Sequence, residues 1–242
     1  GSAAVQFSLI WWLASETGSP IMMSIAGVFA FLPQLILGPF VGVWVDRLSC
    51  KTVIIAADLF IGLAALVFAL FFLFDSPPYW SICVVLGIRA VGNVFHSPAI
   101  QAAVPMLVPQ HELVRANGWS QFMQSGAFLL GPVLGAAMYA ALPLWIILLS
   151  DLVGALIASA TVALVKIPDP ERHTHQKPHF FNEMKEGAAA IWQDRNLFIV
   201  TAATLLGMVF YAPLSTYYPL MTSDYFRADA WHASKVTFGY AG

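Results

Sequence analysis

Leu37-Gly38-Pro39-Phe40-Val41-Gly42 returns 93 positions later as Leu130-Gly131-Pro132-Val133-Leu134-Gly135, and at the same offset Asp58-Leu59 returns as Asp151-Leu152. Both copies lie in long apolar runs, where an aspartate opposes membrane insertion by roughly 2.5–3.5 kcal/mol. Three apolar spans make up each repeat unit. An odd number of crossings sends the second copy into the membrane from the opposite side, so the sequence predicts an all-α membrane protein built from inverted three-helix repeats.

Composition supports this class independently. Of 242 residues, 59% are hydrophobic and 10% charged, with a mean hydropathy of +0.76. A soluble domain carries about 25% charge, so the solvent for most of this chain is the lipid bilayer. A net charge of −2 argues against a nucleic-acid partner. Cys50 and Cys83, placed in a loop and in an apolar span, are expected to form neither a disulfide nor a metal site.

Apolar runs fall at 1–15, 20–45, 52–74, 79–105, 116–141, 143–165 and 196–221. Crossing a ~30 Å hydrocarbon core takes about 20 helical residues. The first run is short, lacks a basic n-region, and reads as the second half of a truncated helix. Val236–Gly242 reads as the start of an eighth helix. The expected organisation is a six-helix bundle over 1–165, a cytoplasmic linker over 166–195 and the start of a second bundle over 196–242. Placing the 46–52 loop in the cytoplasm puts Arg47, Lys51, Arg115, Lys166, Arg172, Lys177, Lys185 and Arg195 on one side and only Arg227 and Lys235 opposite, as the positive-inside rule requires. Trp44 and Trp119 then fall near the inner interface, and Trp12, Trp80 and Trp145 near the outer one. Within the linker, apolar positions Phe181, Met184, Ala188, Ile191 and Trp192 predict a surface helix. His173, His175 and His179 have no cysteine or ordered ligand frame beside them and read as solvated.

Inverted triplets of interrupted apolar helices suit a secondary transporter for a small-molecule substrate. Arg89, Asp58 and Asp151 are charges inside spans, and each needs a partner or water. Arg89 and Asp151 lie at similar depth from the outer face and are expected within reach of one another, an arrangement that keeps the carboxylate ionised. Asp58, nearer the inner face, is a candidate for proton coupling or for helix packing. Gly42-x3-Asp46-Arg47-x3-Lys51 places an acid and two bases in a tight turn that can form an ion-pair latch between helix ends, or can simply serve topology. Gly38-x3-Gly42 and Gly131-x3-Gly135 are small-x3-small faces that permit close helix approach, and Pro39 and Pro132 bend their spans. Asn93, His96, Ser97, Gln101, Gln121 and Gln124 are candidates either for a cavity lining or for interhelical hydrogen bonds.

Gly42-Val-Trp-Val-Asp46-Arg47-Leu-Ser-Cys50-Lys51 resembles the loop signature between the second and third helices of the major facilitator superfamily, with Cys50 where a basic residue is common. Arg89-Ala-Val-Gly92 is similar to that superfamily's fourth-helix signature. Gly126-x4-Gly131-Pro132-x2-Gly135 resembles its fifth-helix antiporter signature, with the first glycine displaced by one position. With the opening Gly-Ser-Ala-Ala-Val-Gln-Phe-Ser-Leu-Ile-Trp-Trp, the pattern most resembles the macrolide-efflux and enterobactin-exporter branch. The resemblance implies a twelve-helix parent in the bacterial inner membrane, with a C-terminal half missing here and with alternating access around a central cavity. It implies Arg89 in proton coupling, and drug export driven by the proton-motive force without a cofactor. Other readings are a solute uptake symporter, or a membrane-embedded enzyme using Asp58, Asp151 and His96, or a scaffold. No Gly-x4-Gly-Lys-Ser/Thr phosphate loop, His-Glu-x2-His or Gly-x-Ser-x-Gly motif accompanies the acids, so an enzyme is not expected.

Overall fold

A computed structural model describes residues 2–45, 48–74, 77–167, 189, 192–227 and 229–240. The first six helices are α1 (Ser2–Thr17), α2 (Pro20–Val45), α3 (Cys50–Phe74), α4 (Trp80–Leu107), α5 (Leu113–Ala141) and α6 (Leu144–Leu164). Helix α7 (Arg195–Leu220) runs into a π-helical turn, Met221–Tyr225, and α8 spans Ala230–Tyr240. Helices α2 to α7 are each long and apolar enough to cross a bilayer. The predicted loop at 106–115 is shorter than expected, because a 3-10 turn, Gln110–Glu112, carries the chain directly into α5. The predicted surface helix of the linker falls largely on residues outside those described.

The tight turns follow from local chemistry. Helix α1 stops at Gly18, whose φ of 55° is the left-handed C′ conformation; its N–H donates to the Ala14 carbonyl at 3.0 Å. Ser19 then caps α2, its hydroxyl accepting from Met22 N–H at 3.4 Å, and Pro20 takes the first helical position, where no N–H is needed. Leu142-Pro143 similarly separates α5 from α6. Pro33, Pro39, Pro98, Pro105 and Pro132 all sit inside continuous helices, as membrane-spanning helices tolerate.

The bundle's neighbour pattern carries the inverted repeat. Helix α2 packs on α4 and α5 on α1; α3 packs on α4 and α6 on α1; α3 and α6 pack on each other. Exchanging α1 with α4, α2 with α5 and α3 with α6 returns the same set of neighbours. At the centre, Gly62 of α3 meets Ala155 of α6, its own equivalent at the 93-residue offset: a Cβ on Gly62 would lie 2.9 Å from the Ala155 methyl. The triplets therefore interleave rather than sitting side by side.

Two apolar interiors result. One joins Val5, Leu9 and Leu13 of α1 to Ile82, Val85 and Leu86 of α4 and to Ile147 and Leu148 of α6. The other joins Val41 and Val45 of α2, Val53 and Ile54 of α3, and Val94, Ala99 and Ala103 of α4. Large apolar side chains such as Leu35, Leu63 and Ile157 face outward. Because lipid tails are as apolar as these interiors, close packing and polar pairs, not water exclusion, choose the helix partners.

By itself, the unit containing residues 171–218 presents α7, started by Asp194, whose Oδ1 accepts from the N–H groups of Asn196 at 2.8 Å and Leu197 at 3.2 Å. Residues 219–242 belong to the same unit as 1–170, where α8 packs on α5.

Candidate functional site

The charged residues inside the spans form two separate pairs. Arg89 on α4 donates through Nη1 to Oδ2 of Asp151 on α6, and through Nη2 to the Ser2 carbonyl of α1 at 3.0 Å. The Ser2 hydroxyl closes the ring by donating to Asp151 Oδ1 at 3.1 Å. Depth explains the meeting: Arg89 lies nine residues into α4 and Asp151 seven into α6, about 13 and 10 Å from the helix ends that face the same side. Arg89 is 1% exposed and Asp151 4%, so the pair is shielded from lipid and water together. Arg89 Nε is buried without a hydrogen-bond partner among the described residues.

The second pair was not foreseen. His96 on α4 places Nε2 3.2 Å from Oδ1 of Asp58 on α3, with both side chains partly buried, while Asp58 Oδ2 is buried without a hydrogen-bond partner among the described residues. His96, read from the sequence as a candidate for a cavity lining or for interhelical hydrogen bonding, thus meets a partner on the neighbouring helix. The two acids are repeat equivalents, and so nearly are their partners: subtracting the offset from His96 gives Ala3, next to Ser2. The duplication has kept both carboxylates and given them different company, a fixed cation at Asp151 and a titratable ring at Asp58.

Beside the Arg89–Asp151 pair lies a cavity of about 400 Å³ lined by Ser2, Ala3 and Gln6 of α1, Ala30, Phe31 and Gln34 of α2, and Leu86, Arg89, Ala90 and Asn93 of α4. This is the size and mixed character of a small-molecule site. Of the predicted lining residues, only Asn93 is here. Gln101 sits further along α4, exposed, with its amide 3.5 Å from the Ser97 hydroxyl; Gln121 and Gln124 lie on an exposed face of α5. Gln6 and Gln34 supply the other amides. Each is a lone amide in an apolar run, a signal as strong as the one that pointed to Asn93.

The two glycine faces also differ. A Cβ on Gly131 would lie 2.6 Å from the Ala3 methyl, and one on Gly135 2.6 Å from the Ala4 carbonyl, so α1 lies directly on α5, with Pro132 between the two contacts. The Ser8 hydroxyl adds a donated bond to the Gly135 carbonyl at 3.1 Å. Gly42 has open space where its Cβ would be, and Gly38 meets only its own helix's Gln34. Among the described residues no close approach is seen at Gly38-x3-Gly42: the sequence repeats, but the neighbour does not.

Lys51, the described member of the expected latch, holds a helix end. Its Nζ donates to the carbonyls of Ala163 at 2.6 Å and Val165 at 2.9 Å, tying the start of α3 to the end of α6. A cation there complements the negative end of the helix dipole and satisfies carbonyls that have no partner within the helix. Asp46 and Arg47 lie outside the described residues.

Interleaved triplets, a cavity lined by both of them and charge pairs inside the spans define a multi-pass membrane protein of the kind that handles small-molecule substrates. Residues 1–241 match the Major Facilitator Superfamily, and the chain belongs to it. Among curated proteins it is 37% identical to "Macrolide efflux protein A" of Streptococcus pyogenes over 241 residues, covering 99% of this chain and 60% of that protein. It is 36% identical over 225 residues to the protein of the same name in Enterococcus faecalis, covering 93% of this chain and 69% of that one. A Bacillus subtilis protein described as an uncharacterized MFS-type transporter, YkuC, is 24% identical over 252 residues. The chain thus spans about three-fifths of the length of the first of these relatives.

Proposed function

We propose that the protein to which this sequence belongs exports macrolides or similar amphipathic small molecules across the bacterial cytoplasmic membrane by alternating access, driven by protons moving the other way. The observation that carries the reading is the 37% identity to a macrolide efflux protein along nearly the whole chain. The cavity supports it: Phe31 and Leu86 offer apolar surface, while Gln6, Gln34 and Asn93 offer amides to the hydroxyl and carbonyl groups of an amphipathic substrate.

In this reading Arg89, Asp151 and Ser2 form a clasp holding α1, α4 and α6 together along one wall of the cavity. Gly131, Pro132 and Gly135 let α1 ride closely on α5, so that the two can shift as the bundle rocks. The 42–51 turn acts as the conformational switch through Lys51, which lets go of the α6 end when α3 tilts. The second bundle, supplied by the remainder of the parent protein, completes the pathway within the lipid bilayer. No cofactor takes part.

The test uses the full-length protein in inverted membrane vesicles. Adding erythromycin should dissipate an imposed pH gradient, and an Arg89→Ala variant should not do this. A gradient unmoved by erythromycin in the wild-type protein refutes proton-coupled export.

A further inference from the structure

We infer that the Asp58–His96 pair is the proton-loading site of this bundle, separate from the Arg89–Asp151 clasp; this deepens the function proposed above and rests on it. Three observations carry it. First, the pair joins two helices at 3.2 Å between Nε2 and Oδ1, so one proton can alter the bond between α3 and α4 directly. Second, Asp58 Oδ2 is buried with no hydrogen-bond partner among the described residues. A carboxylate left so incompletely satisfied gains most when a neighbour supplies positive charge. Third, its repeat equivalent Asp151 is engaged by the guanidinium of Arg89, which stays protonated throughout the physiological range and so cannot exchange a proton.

Charge arithmetic gives the site its mechanism. With neutral imidazole the pair carries −1; when the ring takes a proton from water, the imidazolium faces the carboxylate and the pair carries zero. An O–H bond of hydronium breaks as the N–H bond forms, and release breaks N–H and returns the proton to water. Histidine is the side-chain type whose ordinary titration spans pH 5–8, the range a membrane pH gradient covers. Burying a pair of zero net charge is far less unfavourable than burying a lone anion, so loading permits α3 and α4 to close together and unloading favours a state that admits water.

Surrounding charges leave this arithmetic intact. Helix α2 carries no ionisable side chain from Pro20 to Val45, and on α6 the only one is Asp151, held by Arg89. On α4, Arg89 lies seven residues from His96, two turns or roughly 10 Å along the axis. On α3, Lys51 is seven residues from Asp58 and bonded to the α6 carbonyls. Cys83 lies further still along α4.

The full-length protein in inverted vesicles, with His96→Gln and Asp58→Asn, tests the inference. Two activities are compared: accumulation of radiolabelled erythromycin driven by a pH gradient, and exchange of labelled for unlabelled erythromycin without a gradient. Both variants should lose gradient-driven accumulation and its dependence on pH while retaining exchange, because exchange needs the cavity but no proton cycle. Wild-type coupling in His96→Gln overturns the inference while leaving proton-coupled export standing; a wild-type protein that moves no protons overturns the export reading instead. Should either variant also lose exchange, the imidazole resonances of ¹⁵N-histidine-labelled wild-type protein decide, with the His96 signal assigned by its loss in His96→Gln. A protonation state of His96 that erythromycin leaves unchanged across pH 5–8 overturns the inference, and a substrate-induced loss of the proton supports it.

Discussion

Replacing Asp151 with leucine would strand the Arg89 guanidinium where it is 1% exposed. Nη2 would keep the Ser2 carbonyl at 3.0 Å, Nη1 would lose its acceptor, and Nε has no partner among the described residues to begin with. Two unit charges at a contact distance of ~3 Å attract by about 5 kcal/mol at an effective dielectric constant of 20. Breaking buried pairs by removing one member costs about 3–5 kcal/mol. We expect Asp151→Leu and Arg89→Met each to lose stability in that range. The double variant removes both charges and refills the site with apolar volume, a change that is often neutral or better. Its loss should therefore fall at least ~3 kcal/mol short of the two single losses added together, at or above the top of the couplings of about 0.5–3 kcal/mol usual for residues in direct contact. Reversible unfolding of the full-length protein in mixed micelles, followed by tryptophan fluorescence, measures all three. Single losses that simply add in the double variant would show that the pair is not a coupled unit and refute the clasp. Restored stability should not restore export, because the paired charges are also what α1, α4 and α6 share at the cavity.

Glycine substitutions should divide sharply by repeat. Gly135→Ala drives a methyl against the Ala4 carbonyl at 2.6 Å and should destabilise by about 1–3 kcal/mol, whereas Gly42→Ala meets open space within this bundle and should leave its thermal stability unchanged. Lys51→Met should weaken the α3–α6 tie by roughly 0.3–1 kcal/mol, and faster hydrogen exchange of the amides in the last turn of α6 would register it. At the start of α8, His232 donates through its backbone N–H and places its ring 2.7 Å from Asp229 Oδ1, holding that carboxylate below its ordinary range. A lowered folded-state value means the cap is in place above the unfolded-state range and is released as pH falls through the lower one. The His232 amide should therefore exchange faster under acid conditions, after correction for intrinsic rates, and Asp229→Ala should abolish that dependence.

How far the sequence could be read depended on what each feature required. Helix positions follow from run length, and the Gly18-Ser19-Pro20 and Leu142-Pro143 turns from residues with one conformational use. The Arg89–Asp151 meeting was also legible, because depth alone brings two scarce opposite charges to one level. His96 and Asp58 were not matched in the same way: at their level the outcome turns on how α3 and α4 are rotated about their axes, which apolar runs without a polar face do not record. Gly38-x3-Gly42 and Gly131-x3-Gly135 are near-identical strings with different surroundings, since α1 covers the second and none of the described residues covers the first. Lys51 was read as part of a latch or as a topology charge; that its ammonium meets two carbonyls at a helix end is something no composition reveals.

The interleaving of the triplets has a consequence for how such a molecule can be divided. Helix α2 finds its main neighbour in α4 and α5 in α1, so a chain severed between Phe74 and Trp80 yields two pieces, neither of which owns its interior. Each fragment would present to lipid the grooves its counterpart fills, and the only surface shaped to fill them belongs to a triplet threaded the other way. Co-expressed halves should therefore knit together, and solitary ones should remain loose. A single triplet on its own would face the same requirement, which a second copy inserted in the opposite direction would meet.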